Sequence, residues 1–246
     1  MRRYGLIGRS LGHSFSRGYF TEKFRREHME DAVYELFPLE TVEKLWDILA
    51  QYPDLCGLNV TIPYKELVIP LLDQLDETAR EAGAVNCIKM LSDGRLKGYN
   101  TDITGFEQSL SRMEGWSPDL GEALILGTGG ASKAVAYVLR KLQVPFHFVS
   151  RNPSSEQEIT YTELSRLAEN YRLVVNTTPL GTFPDTQEMP PFPLDLFHNG
   201  MFVFDLIYNP AETLLLREAK NRGCVVKNGL EMLELQAEAA WSIWQT

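Results

Sequence analysis

Leu124 to Ser132 reads LILGTGGAS, an apolar run that ends in Gly127, Gly129 and Gly130 and opens at once into KAVAYVLRKL, which has helical spacing. Strand, glycine turn and helix in that order outline a phosphate cradle. Glycine permits a tight turn and close backbone approach to a pyrophosphate, while the free N–H groups and positive dipole at the helix start receive its charge. Glycines clustered this way also occur in ordinary strand-to-helix turns, and the third position of the dinucleotide fingerprint is here Ser132. The neighbouring segments therefore have to decide.

Downstream the chain alternates regularly. From Ala123 the pattern predicts a strand, a helix to Leu142, a strand at Phe146–Ser150, a helix at Tyr161–Glu169 and a strand at Leu173–Asn176. A strand at Met201–Leu206, a helix at Ala211–Arg222 and a strand at Cys224–Val226 follow. Repeated βα units of this length imply a parallel sheet with helices on both faces. The Pro-rich stretch Pro179–Pro193 is too long and polar for a tight turn and reads as a surface loop or lid. In a dinucleotide-binding fold, an acid about twenty residues after the glycines binds the ribose 2′-hydroxyl, whereas an arginine accommodates a 2′-phosphate. The second strand ends VSRNPSS, with Ser150, Arg151 and Asn152 at the turn and no acid, so NADP(H) is expected over NAD(H).

Upstream, Tyr4–Ile7 is a short strand that breaks into GRSLGHSFSRGYF. This places His13, Ser14 and Ser16 on a loop beyond a strand end, where α/β proteins commonly bind ligands, although one serine could simply cap the helix predicted at Arg17–His28. Ala32–Pro38 reads as a strand and Thr41–Gln51 as a helix. Gly57–Ile62 reads as a buried strand, with Pro63 in the first turn of a helix and Thr61 and Lys65 flanking the junction. A lysine there opposes the helix dipole. Gly83–Met90 and Leu96–Asn100 read as strands joined by Ser92-Asp93-Gly94, and Asn86 is a polar residue that needs hydrogen-bond partners if buried. Asp102 precedes a helix predicted at Gly105–Met113 and either caps it or serves chemistry. The final stretch, Gly229–Thr246, is helical with Met232, Leu233, Leu235, Ala239, Ala240 and Ile243 on a broad apolar face that can pack back on the first half.

The composition, 44% hydrophobic and 23% charged over 246 residues, is that of a globular chain of one large or two smaller domains. A formal net charge of −9 argues against a nonspecific nucleic-acid binder, which needs a basic face. Cys56, Cys87 and Cys224 form no CxxC and read as free, buried thiols, and His13, His28, His147 and His198 lack metal-type spacing, so no metal is expected. No apolar run reaches bilayer length and no signal-peptide core follows Arg2-Arg3, which fits a cytoplasmic protein.

The motifs HSFS from His13, GLNVTIPYK from Gly57, GAVNCI from Gly83, GYNTD from Gly98, GTGGASKA from Gly127, NTTPLGT from Asn176, DLIYNPAET from Asp205 and NGLEML from Asn228 stand in this order. With Gln236, they make the chain resemble the shikimate dehydrogenase family over nearly its whole length. The resemblance implies an α/β fold: an N-terminal substrate domain (residues 1–102 and 229–246) with a mostly parallel sheet, a Rossmann-like NADP-binding domain (103–228), and a cleft between them. It implies NADPH-dependent reduction of 3-dehydroshikimate to shikimate in aromatic amino-acid biosynthesis. Lys65 and Asp102 match the catalytic pair, and Ser14, Ser16, Thr61, Asn86 and Gln236 match positions that hold the substrate. Gly127, Gly129, Gly130 and Ala131 match the cofactor loop, and Arg151, with Ser150 and Asn152, the 2′-phosphate site. Thr177, Tyr208 and Gly229 match the neighbourhood of the nicotinamide, with Tyr208 also expected on the substrate. The partner is then a small molecule, and the chain is expected as a monomer or homodimer.

Three departures bear on this. Arg17-Gly18 replaces the proline usual after the second serine, Ile103 replaces a common glycine, and Ser150 stands where an asparagine often precedes the arginine, with no second arginine beyond. The last favours a rival reading, an NAD-dependent quinate/shikimate dehydrogenase. A non-catalytic nucleotide-binding regulator is the alternative from another class, but it has no reason to keep Lys65, Asp102 and the serine pair.

Overall fold

In the computed structural model, residues 1–12, 14–164 and 170–246 are described. His13, and the part of the predicted Tyr161–Glu169 helix from residue 165 onward, lie outside them. The chain divides into two compact units, Met1–Thr101 with Ala237–Thr246, and Asp102–Gln236.

The first unit is built on a six-stranded sheet of β1 (Arg2–Gly8), β2 (Ala32–Pro38), β3 (Leu55–Val60), β4 (Gln74–Leu75), β5 (Cys87–Met90) and β6 (Leu96–Tyr99), in the order β2-β1-β3-β5-β6-β4. The pairs β1/β2, β1/β3 and β4/β6 are parallel, whereas β5 runs antiparallel to both β3 and β6. Leu58, Val60, Tyr64, Val68 and Ile88 pack a core on one side of this sheet. The other core is aromatic: Tyr4, Phe20, Phe24 and Tyr34 pack with Trp241 and Trp244. Trp244 stacks on Tyr4 at 5.0 Å and donates its Nε1–H to the Ile88 carbonyl at 3.0 Å. The carboxylate of Glu238 closes the edge of this core, taking hydrogen bonds from Tyr19 and from buried Lys23.

The second unit holds β7 (Glu122–Leu126), β8 (Phe146–Val149), β9 (Glu158–Ile159), β10 (Tyr171–Asn176), β11 (Phe202–Asp205) and β12 (Val225–Lys227). Every pairing in the order β12-β11-β10-β7-β8-β9 is parallel. Counted from β7 this is the 3-2-1-4-5-6 arrangement of the Rossmann fold, whose ligand crevice opens where the strand order reverses, between its first and fourth strands. Those strands are β7 and β10 here.

Several local expectations shift. Gly83 does not begin a strand; with φ +64 it is the left-handed cap of a helix, Glu77–Ala82, and β5 starts only at Cys87. Pro63 precedes the helix Tyr64–Leu67 with a non-helical backbone, so Lys65 is its second residue. The helix predicted from Gly105 begins at Thr101, which places Asp102 inside the first turn rather than before it. The helix predicted from Arg17 begins at Phe15, with Ser14 as a cap whose hydroxyl makes no capping bond.

Candidate active site

In the first unit, the sequence-predicted residues Ser14, Ser16, Thr61, Lys65 and Asn86 gather at the carboxyl ends of β1 and β3 and around the start of β5. Thr61 N donates to the Ile7 carbonyl at 2.9 Å, and Tyr64 N donates back to the Thr61 carbonyl at 2.9 Å. Tyr64 is buried, with its phenol on the Leu39 carbonyl at 2.6 Å, so the short helix is pinned beside half-buried Lys65. The Lys65 carbonyl is held by Val85 N at 2.7 Å. Asn86 meets the requirement for buried polar groups: its Oδ1 accepts from Thr101 N at 2.7 Å and from Thr101 Oγ1 at 3.1 Å.

The polar floor continues inward. Asn59 Nδ2 donates to the Asn86 carbonyl, and Asn59 Oδ1 accepts from the Tyr34 phenol at 2.7 Å. The Ser16 hydroxyl stands beside that phenol, whose pKa burial pushes well up. Tyr34 and Asn59 were not among the residues singled out from the sequence; a buried tyrosine meeting an asparagine across strands leaves no local pattern. Among the described residues, two buried polar side-chain atoms make no hydrogen bond, Ser14 Oγ and Asn100 Oδ1. An orphaned hydroxyl on a loop at a strand end is a natural partner for a ligand oxygen.

In the second unit, the turn after β7 has the shape the glycines require. Gly127 has φ +106, and a Cβ there would sit 2.9 Å from Thr177 Oγ1. Thr177 in turn donates its hydroxyl and its N–H to the Leu126 carbonyl, at 2.7 and 3.0 Å. The ends of β7 and β10 are thus tied together at the switch point, with Thr177 against the glycine turn. A Cβ on exposed Gly129 would meet nothing, and Gly129 caps the helix Gly130–Lys141, on which Ala131 is half-buried. This open helix N-terminus fits a dinucleotide pyrophosphate.

Ser150, Arg151 and Asn152 follow β8; Ser150 N pairs with the Ile159 carbonyl at 2.9 Å, and its hydroxyl accepts from Asn152 N at 3.2 Å. Arg151 is exposed. Burial pushes the phenol of nearby Tyr161 up to about 12, against the opposing field of Arg151. Glu158 on β9 accepts from Ser154 N at 3.1 Å and from Ser154 Oγ at 2.9 Å. No acid is visible in VSRNPSS, yet the fold brings this carboxylate back over the serine loop.

Asp102, Tyr208, Gly229 and Gln236 also belong to this unit. Asp102 and Gln236 are buried, and Gln236 Nε2 donates to the Leu233 carbonyl at 2.9 Å. Gly229 N donates to the Ile207 carbonyl at 3.0 Å, and any Cβ on Gly229 would collide with the Leu206 carbonyl. Glu231 anchors the helix that follows, held by Lys227, Arg112 and Ser109.

Cys87 and Cys224 are buried and Cys56 partly so, all as free thiols. Among the described residues no group of three or more His, Cys, Asp and Glu side chains could hold a metal, and no helix is long and apolar enough to cross a membrane.

The strand order and glycine turn of the second unit define a dinucleotide-binding protein of the Rossmann class. Residues 6–88 of the first unit match the model of the shikimate dehydrogenase substrate-binding domain. The chain is 38% identical over 256 residues to shikimate dehydrogenase (NADP(+)) of Clostridium beijerinckii, covering 100% of this chain and 92% of that protein. A structure of shikimate 5-dehydrogenase from Thermus thermophilus in complex with NADP(H) and shikimate is 32% identical, with a TM-score of 0.86 over 99% of this chain and 93% of that one. Quinate dehydrogenase from Corynebacterium glutamicum in complex with NAD superposes with a TM-score of 0.87 at 27% identity, over 99% and 93% of the two chains. The chain belongs to the shikimate dehydrogenase family.

Proposed function

We propose that this protein catalyses the reversible, NADPH-dependent reduction of 3-dehydroshikimate to shikimate. Arg151 at the turn after β8 carries the choice of cofactor: a guanidinium stands where NAD-binding proteins place a carboxylate, next to a glycine turn that has room for a pyrophosphate. When bound, the dinucleotide supplies the hydride. Reduction of a ketone leaves an alkoxide that needs a proton, and the reverse reaction needs that proton removed. Lys65 donates and takes this proton at its Nζ, with Asp102 as the second member of the catalytic pair. Ser14 and Ser16 hold the substrate carboxylate, and Thr61, Asn86, Tyr208 and Gln236 its hydroxyls. The buried, unpartnered Ser14 Oγ supports this role. In a chain of net charge −9, an anionic ligand has to be held by local donors such as these against the overall field.

An NAD-dependent quinate or shikimate dehydrogenase is the second reading. It is favoured by the lone arginine and by Glu158 folded into the same serine loop. Oxidation of shikimate and of quinate with NADP+ and with NAD+, measured side by side, separates the two. Faster turnover of quinate with NAD+ would select the second reading, and no reduced nicotinamide from either acid would reject both.

A further inference from the structure

We propose that Asp205 is a positioning residue for the nicotinamide end of the cofactor site, setting from one buried carboxylate the backbone at Thr177–Leu180, at Ile207–Tyr208 and at Gly229. The assignment rests on the functional reading above, which puts Thr177, Tyr208 and Gly229 beside the nicotinamide.

Asp205 closes β11 and is fully buried. Its Oδ1 accepts from Asn176 Nδ2 at 3.0 Å and from Ile207 N at 3.1 Å, and its Oδ2 accepts from Thr213 Oγ1 at 2.6 Å. A carboxylate can only accept, so it fixes the direction of each partner in turn. With its amide nitrogen committed to Asp205, Asn176 turns Oδ1 toward the next loop, where it takes Thr178 N at 3.0 Å and Thr178 Oγ1 at 2.8 Å. Thr178 Oγ1, its proton spent on Asn176, accepts from Leu180 N at 3.4 Å. On the other side, Thr213 gives its proton to Asp205 and accepts from Leu216 N at 3.3 Å, capping the helix Leu214–Lys220. Ile207, held by its N–H on Asp205, offers its carbonyl to Gly229 N at 3.0 Å.

Stretches far apart in sequence therefore take their register from one side chain. Among the described residues Asp205 pairs with no cation; neutral donors alone hold it. A buried carboxylate without a counter-charge is costly, and an apolar residue would fill the space at less cost if packing were its only duty. Its acceptor-only character is what the surrounding loops use.

The test compares two ligands on the full chain by calorimetry: NADP+, and adenosine 2′,5′-bisphosphate, which keeps the adenine and the 2′-phosphate but has no nicotinamide. Asp205→Asn puts an N–H against donors on one side of the network. It is expected to weaken NADP+ about tenfold or more, the scale of one hydrogen bond to a charged group, and to leave the bisphosphate within about twofold, inside the scatter of one such bond. Thr178→Val removes a single hydroxyl at constant shape and should give the same split in smaller degree, with Thr178→Ser restoring parental binding. It decides the matter if the Asp205 variant does not fold. Equal weakening of both ligands, or no weakening of NADP+ in either variant, overturns the assignment while parental turnover of shikimate leaves the functional reading standing. A parent protein that neither binds NADP+ nor turns over shikimate sinks that reading and this assignment with it.

Discussion

Trp244 is the place where the end of the chain locks into the first unit, and its removal should be among the most damaging single changes there. The ring is buried, stacks on Tyr4 at 5.0 Å and packs on Phe20 at 5.5 Å, and its Nε1–H satisfies the Ile88 carbonyl. Loss of a buried tryptophan to alanine costs about 3–5 kcal/mol. Trp244→Phe keeps most of the apolar area but removes the hydrogen bond to the Ile88 carbonyl, at about 0.5–1.5 kcal/mol. Gly57 lies against the same ring, so closely that a Cβ on it would overlap Nε1. Gly57→Ala should therefore destabilise by about 1–3 kcal/mol through overpacking, and less so in the Trp244→Phe background, because the two positions share one contact. Urea unfolding followed by circular dichroism measures each difference, and in a chain of two units only one of two resolved transitions should move. Trp244→Ala within about 0.5 kcal/mol of the parent, the scatter of an ordinary surface substitution, would refute the reasoning, as would strict additivity of the pair.

Lys65→Ala should lower kcat for shikimate oxidation by about 10²–10⁴-fold, the range of acid–base assistance, with little change in KM; near-parental kcat would remove Lys65 from the proton transfer. Arg151→Ala should weaken NADP(H) by roughly ten- to hundred-fold, from a charge-assisted hydrogen bond of about 1.5–3 kcal/mol, and leave NAD(H) nearly unchanged. Equal losses for both cofactors would rule out a contact with the 2′-phosphate. Burial pushes the Asp205 carboxyl up to about 6, so the folded chain holds its proton more tightly than the unfolded chain does. The resulting stabilisation, about 3 kcal/mol for a two-unit shift, is present below about pH 4 and lost as pH rises through about 6. Melting curves should show the parent losing ground to Asp205→Asn over that interval, and a constant difference would contradict it. Glu231 acts in the opposite sense: desolvation raises its carboxyl, but Lys227, Arg112 and Ser109 outweigh this and hold it at about 2. Its stabilisation is present above about pH 4.5, the usual glutamate range, and is lost as pH falls toward 2, which acid unfolding of Glu231→Gln beside the parent would reveal.

The parallel sheet of the second unit was legible because its strands are apolar runs separated by helical spacing, and the glycine turn because φ +106 at Gly127 leaves few other residues able to stand there. Short elements escaped. The helix Glu77–Ala82 is a turn and a half, too brief for periodicity, although its Asp76 cap on Thr78 N and its Gly83 terminus are both written in the sequence. Asp102 reads as a residue before the helix, because no apolar spacing announces that the helix starts at Thr101. Side chains that act across strands were out of reach for another reason. Tyr34 meets Asn59 only after the sheet has set its register. Asp205 is an intermediate case: its motif was recognised, yet nothing in DLIYNPAET tells that its carboxylate reaches Asn176 as well as Thr213.

Ala237–Thr246 belongs to the unit that begins at Met1, and this has a consequence for the chain while it is being made. Ribosomes add about 5–20 residues per second, so Tyr4, Phe20, Phe24 and Tyr34 wait on the order of ten seconds for Trp241 and Trp244 to be synthesised. Throughout that interval the nascent first unit exposes an aromatic surface, whereas Asp102–Gln236 is one uninterrupted segment with all its strands in hand. The unit begun first is the one completed last. Newborn chains should therefore depend on chaperone shielding through the N-terminal unit, and translation that stops short of Ala237 should leave a product whose second unit folds while its first remains sticky.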